Sequence, residues 1–150
     1  MPIGERRDFS GRHIQAIFGA PNVTMELIAE TTPAITVEES SYDVDTGIEV
    51  RYLDRLTFNA TGSIWAGVWF TGENGPQGWN NIDPDLKFPL PGSRPYSLLG
   101  RMAGRYFYIG RGQDLFYRGR DSRLSLRTND DRPGNGSGAF QCTIQQWRRV

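Results

Sequence analysis

The residues best suited to chemistry lie near the C-terminus, in RLSLRTNDDRPGNGSG (Arg123 to Gly138). A short alternating run ends in Asn129-Asp130-Asp131. A tight loop follows, and Asn135-Gly136-Ser137-Gly138 leads into a second run, AFQCTIQQW. Carboxylates and an amide oxygen are thereby gathered on a glycine-rich turn between two strands. Hard divalent cations, calcium above all, take such oxygens, about 6–8 of them. An ion held at a sheet edge can in turn bind vicinal hydroxyls of a sugar. The plainer reading is a hairpin turn, because Asp, Asn and Gly are also the residues that turns favour.

Other chemistries lack their residues. The one histidine, His13, lies near the N-terminus, so a histidine-based triad would require it to meet a serine or cysteine far along the chain, and no nucleophile elbow is present. Zinc sites need several His or Cys ligands. The one cysteine, Cys142, allows no internal disulfide and no thiolate metal site, and its place mid-strand reads as a buried structural thiol. The glycine-rich stretches GRGQ and GNGSG lie between strands with no helix after them, which argues against phosphate-cradling loops. Glu73, Asp83 and Asp85 share one loop and leave a glycoside-hydrolysing carboxylate pair open. Loop carboxylates are more often solvated or structural, so no enzyme is expected.

Composition narrows the partners. With 150 residues, 37% hydrophobic and 23% charged, the chain can fold as a globular domain with a real core. Its formal net charge of +0 argues against nucleic acid and anionic membrane surfaces, which need a basic excess. Of 17 basic residues only Lys87 is lysine, but the arginines alternate with acids and read as compositional bias. No signal-peptide or bilayer-spanning apolar run is present. The expected location is therefore cytoplasmic, or outside the cell by a non-classical route. Three Asn-x-Ser/Thr matches, at Asn22, Asn59 and Asn135, carry no weight without a secretion signal.

The elements that must position the loop are short strands. The first ten residues are polar and expected to fray. After HIQAIFG, the run VTMELIAE suits a short helix or a strand, and its Val23, Met25, Leu27 alternation favours the strand. Ala34 to Val37 and Ile48 to Tyr52 are β-like, with turn residues Asp43, Asp45 and Gly47 between them. Leu56 to Ala60 alternates until Thr61-Gly62, and Ser63 to Phe70 is apolar and aromatic. Residues 71–95 are rich in Gly and Pro and form a long loop, which Trp79, Ile82, Leu86 and Phe88 argue is ordered. Tyr96 to Met102, Arg105 to Ile109, Leu115 to Tyr117, Arg123 to Arg127 and Ala139 to Trp147 complete the set. Nine or ten short strands with frequent turns predict an all-β sandwich. Trp65, Trp69, Phe70, Phe107 and Phe140 are assigned to its core, with Trp79 the aromatic left for a ligand.

Four blocks in a fixed order add a resemblance: DTGIEV with ATGSIWAG (Asp45 to Gly67), GPQG (Gly75 to Gly78), PLPGSRPYSLLGRMAGRYFYIG (Pro89 to Gly110), and RLSLRTNDD with NGSG (Arg123 to Gly138). From about Tyr42 onward the chain resembles the bacterial calcium-dependent galactose-binding lectins of the PA-IL or LecA-like type. Residues 42–150 would be the lectin-like domain, and residues 1–41 an N-terminal extension or extra strands of the same domain. The resemblance implies a jelly-roll-like β-sandwich, a homo-oligomer (dimer or tetramer), and one calcium whose shell is completed by sugar hydroxyls. It implies Asp130 and Asn135 as side-chain ligands, and backbone carbonyls of Ala66 and Arg132.

The departures are as informative. Gly136 stands where the family has a second amide ligand, and the loop is shorter. Asp131 is the candidate replacement, its charge offsetting the lost amide. On the sugar side, Asp83 stands where the family has a histidine and Leu86 where it has a glutamine. Asp130, Asn135, Asp83, Asp85 and Trp79 are therefore the sugar-side candidates, with galactose or a related sugar as ligand. The alternative, motivated by Gly136, is a non-catalytic interaction module that keeps the sandwich and has lost calcium.

Overall fold

The computed structural model describes the backbone of residues 13–16 and 23–150. The expectation that the first ten residues fray lies outside the described residues. Every regular element described is a strand: β1 (His13–Ala16), β2 (Val23–Glu30), β3 (Ile35–Glu38), β4 (Val44–Val50), β5 (Arg55–Trp65), β6 (Glu73–Asn74), β7 (Leu98–Met102), β8 (Arg105–Tyr108), β9 (Gly112–Phe116), β10 (Ser122–Thr128) and β11 (Ser137–Arg149). Among the described residues no helix is long and apolar enough to cross a membrane.

The strands make two antiparallel sheets. In the larger, β11 is the spine. It pairs with the whole of β5 on one side, through Ser137 to Trp147, and with β3 and then β2 on the other. β1 pairs with β2, and β6 and β9 pair with β5. The smaller sheet runs β4-β10-β7-β8. Period-two alternation turns one face of each sheet inward. Ile35, Val37, Leu56, Phe58, Ile64, Phe140, Cys142 and Ile144 thus meet Ile48, Val50, Leu98, Leu124 and Leu126 in one buried cluster. The all-β sandwich expected from the strand pattern is the fold observed. Cys142 is fully buried and free, and burial pushes its thiol up to about 12.

Three local expectations are corrected. Thr61-Gly62 does not end a strand: β5 runs through it, paired with Gln141 and Phe140. Glycine is required there by close approach, since a Cβ on Gly62 (φ 96°) would lie 2.4 Å from the Ala139 carbonyl oxygen. Asp45 and Gly47 lie inside β4 rather than in a turn before it. The aromatic assignment is partly reversed. Phe140 is buried and Phe107 packs on the core, but Trp69 is 86% and Phe70 59% exposed, and Trp65 also reaches solvent. Ile64 takes the inward position at the end of β5, so Trp65 points out and the following turn carries Trp69 and Phe70 outward. Trp79, expected to be free for a ligand, instead packs against the core and edge-on to Phe70.

Candidate functional site

Strand pairing brings three distant segments to one end of the large sheet. The end of β5 delivers Ala66 and the start of β11 delivers Asn135, through the pair Ser137↔Trp65. The end of β3 lies on the other side of β11, where Ala139 pairs with Glu38 and the Glu39 N–H donates to the Gly138 carbonyl at 3.0 Å. The end of β10 adds Asn129 and Asp130. Gly67 backs directly on the Asn135 side chain, where a Cβ would lie 2.6 Å from its Cγ.

One end of the Asn135 amide is surrounded by acceptors. It lies 2.7 Å from the Arg132 carbonyl, 2.8 Å from the Ala66 carbonyl and 3.2 Å from Glu39 Oε1. An NH2 turned to them has two hydrogens to share among the three, the Arg132 and Ala66 carbonyls being nearest. An amide oxygen turned to them would need a cation among the four oxygens. Three of the expected ligand positions, Ala66, Arg132 and Asn135, therefore do converge.

Asp130 is 1% exposed. Its Oδ1 accepts the Arg132 N–H at 2.9 Å, while the buried Oδ2 has no hydrogen-bond partner. Within hydrogen-bonding reach of this carboxyl stands Glu39, also 1% exposed. Burial first, then the Glu39 carboxylate opposite and the charge of Asp131, push Asp130 up to about 7 against the opposing Arg132 N–H. Glu39 is held by backbone: Gly134 N–H reaches both of its oxygens at 3.1 Å and Gly136 N–H reaches Oε2 at 3.1 Å. Among the described residues, neither carboxylate is paired with a basic side chain. Two buried acids facing each other without a cation are expensive, and buried charges are ordinarily paired or bind metals. The donor set of two carboxylates, one amide and two carbonyls fits a hard divalent cation.

Glu39 was missed by sequence reasoning, although a signal existed. Ile35 and Val37 face inward, and continuing the alternation places Glu39 on the same buried face. Asp131, the proposed substitute ligand, has its Oδ2 3.9 Å from Lys87 Nζ on the long loop.

The long loop sits beside this cluster because Asn129 ties it down. The fully buried Asn129 amide accepts the Leu90 N–H at 3.0 Å and donates to the carbonyls of Leu90 (3.3 Å) and Arg94 (3.0 Å). Asp83, Asp130 and Asp131 all raise the pKa of the buried Tyr96 phenol after burial itself, so Asp83 lies on this side of the molecule. Asp83 and Asp85 are engaged locally: Asp83 Oδ1 accepts the Asp85 N–H, and Asp85 Oδ1 accepts the Lys87 N–H. Asp85 also pairs with Lys87 at 3.3 Å. Trp79, the remaining sugar-side candidate, packs inward as described above.

No family model matches the chain, and no curated protein matches it. Among solved structures the chain is similar to one described as "EclA N-terminal domain; PllA-like lectin". The TM-score is 0.62 and the identity 19%, with 80% of this chain and 97% of that chain covered. At this identity the likeness concerns the fold, and the fold is that of a lectin-like β-sandwich.

Proposed function

We propose that this protein is a non-catalytic carbohydrate-binding lectin, in which calcium bound at the β10–β11 loop bridges the protein to sugar hydroxyls. One observation carries the reading. The buried, unpartnered Oδ2 of Asp130 lies beside a second buried carboxylate and the ring of oxygens around the Asn135 amide. Ala66 and Arg132 would supply carbonyls, and Asp130 and Asn135 side-chain oxygens. Calcium would supply the positive charge that these acids lack, and open positions for vicinal hydroxyls. Galactose or a related sugar is the proposed ligand, with Asp83, Asp85 and Trp79 the sugar-side candidates on the long loop. A shallow site of this kind gives about 10 µM to 1 mM affinity for one monosaccharide. Assembly into dimers or tetramers would raise the avidity for multivalent glycans.

Calorimetric titration with galactosides and other monosaccharides, in calcium and in chelator, tests the reading. Heat of binding in calcium that disappears in chelator supports it. Binding that persists in chelator removes the metal from the mechanism.

A second reading is favoured by a different observation. With its NH2 turned inward, Asn135 offers its two hydrogens to a ring of three acceptors, and two backbone N–H groups hold Glu39. A loop closed this way needs no ion, as in an interaction module that has lost calcium. That reading predicts no sugar heat in either buffer.

A further inference from the structure

Position 136 is closed to any side chain. A Cβ on Gly136 would lie 1.8 Å from the Trp65 carbonyl oxygen and 2.8 Å from the Gly67 nitrogen. The amide that the resemblance places there has no room, so its oxygen must come from elsewhere or be lost. The Gly136 N–H points to Glu39 Oε2, which puts the Glu39 head group beside the residue that cannot reach the site itself.

We infer that Glu39 is an anionic ligand of the bound cation, delivered by the end of β3 in place of a side chain at position 136. The assignment rests on the calcium reading above. Oε1 lies 3.2 Å from the Asn135 amide, on the side shared with the Ala66 and Arg132 carbonyls. It accepts the Gly134 N–H, and a carboxylate oxygen has a further lone pair to give. The Asp130 carboxyl, with its orphaned Oδ2, lies opposite. Two carboxylates give the site a formal charge of minus two against a divalent ion, where one aspartate and two amides would give minus one. Ligand charge is one of the main determinants of calcium affinity. β3 pairs with Ala139 to Cys142 of β11, and that ladder holds the carboxylate in register with the loop.

The experiment uses the intact chain and metal alone, without sugar. Calcium affinity is measured by calorimetry for the wild type, Glu39→Gln and Glu39→Ala. Terbium is then bound in place of calcium, and its luminescence lifetimes in light and heavy water count the waters on the ion. The expected result is a loss of about 10- to 100-fold in calcium affinity for Glu39→Gln. Glu39→Ala should also gain about one metal-bound water, because a vacated ligand position fills with solvent, whereas the amide oxygen of Gln can keep the position. A purely structural Glu39 would leave the water count unchanged, and equal affinity with equal hydration overturns the assignment. Should both variants fail to fold, infrared spectra of wild-type protein carrying 13C-glutamate replace them. Calcium must then shift a glutamate carboxylate stretch, and an unshifted band with calcium bound overturns the assignment. A wild type that takes up neither calcium nor terbium defeats the lectin reading as well, which separates that failure from the narrower one.

Discussion

Replacing Asp130 by Asn should stabilise the protein in chelator and destabilise it, relative to wild type, in calcium. Asp130 and Glu39 are both 1% exposed and face each other without a counter-charge. Asp130 titrates at about 7 in the fold against an ordinary 3.8. The folded state thus binds the proton more tightly than the unfolded chain, so cation-free stability falls as pH rises from about 4 to about 7 and stays low above that. The separation corresponds to roughly 4 kcal/mol at 1.36 kcal/mol per decade. Solvent access through the exposed loop residues around Asn135 reduces the expected gain to about 1–3 kcal/mol. For a domain of this size that raises Tm by about 2–12 °C. An asparagine can also donate to Glu39, filling the vacancy at Oδ2. In saturating calcium the order reverses. Wild type gains RT ln(1 + [L]/Kd), about 4.1 kcal/mol at one thousand times Kd, which exceeds the variant's advantage, and the variant gains nothing. Thermal melts of both proteins at pH 5 and pH 8, in chelator and in calcium, read all the terms. A variant less stable than wild type in chelator at pH 8 would refute the picture of two opposed buried charges.

The other predictions concern the parts that hold the site. Asn129→Ala removes three hydrogen bonds to Leu90 and Arg94 and should release the long loop, costing about 2–3 kcal/mol and producing new proteolytic cleavage within residues 71–95. Gly136→Ala drives a methyl into the Trp65 carbonyl; a loss of about 1–3 kcal/mol in denaturant unfolding and abolished calcium uptake are expected. Arg148→Ala strands Asp54, which is 1% exposed and held by a two-pronged pair at 2.9 Å, so a loss of about 3–5 kcal/mol by urea titration should come without change in calcium affinity.

The strands were legible where one rule acted alone. Alternation located β3, β10 and β11 to within a few residues, because each has one face against the core. It failed at Gly62, where the local cue of a turn glycine lost to pairing with Phe140 across eleven consecutive partners of β11. It failed again at Trp65, Trp69 and Phe70, because aromatic character says nothing about which side of a strand end a side chain leaves. The metal-loop residues were legible as types, since Asp130 and Asn135 lie five positions apart on one turn. Their partner Glu39 is about ninety residues earlier in the chain. It joins them only through the β3–β11 ladder, a long-range pairing that no local pattern announces. The same holds for Asn129, whose role in tying down the long loop depends on contacts with Leu90 and Arg94.

Growing crystals in millimolar calcium, with data collected at long wavelength for anomalous scattering, tests the bridging ion most directly. The expected result is one anomalous peak within bonding distance of Asp130 and of Asn135, with the amide oxygen of Asn135 turned toward it. A saturated crystal with no peak there, and with the Asn135 NH2 still donating to Ala66 and Arg132, would contradict it.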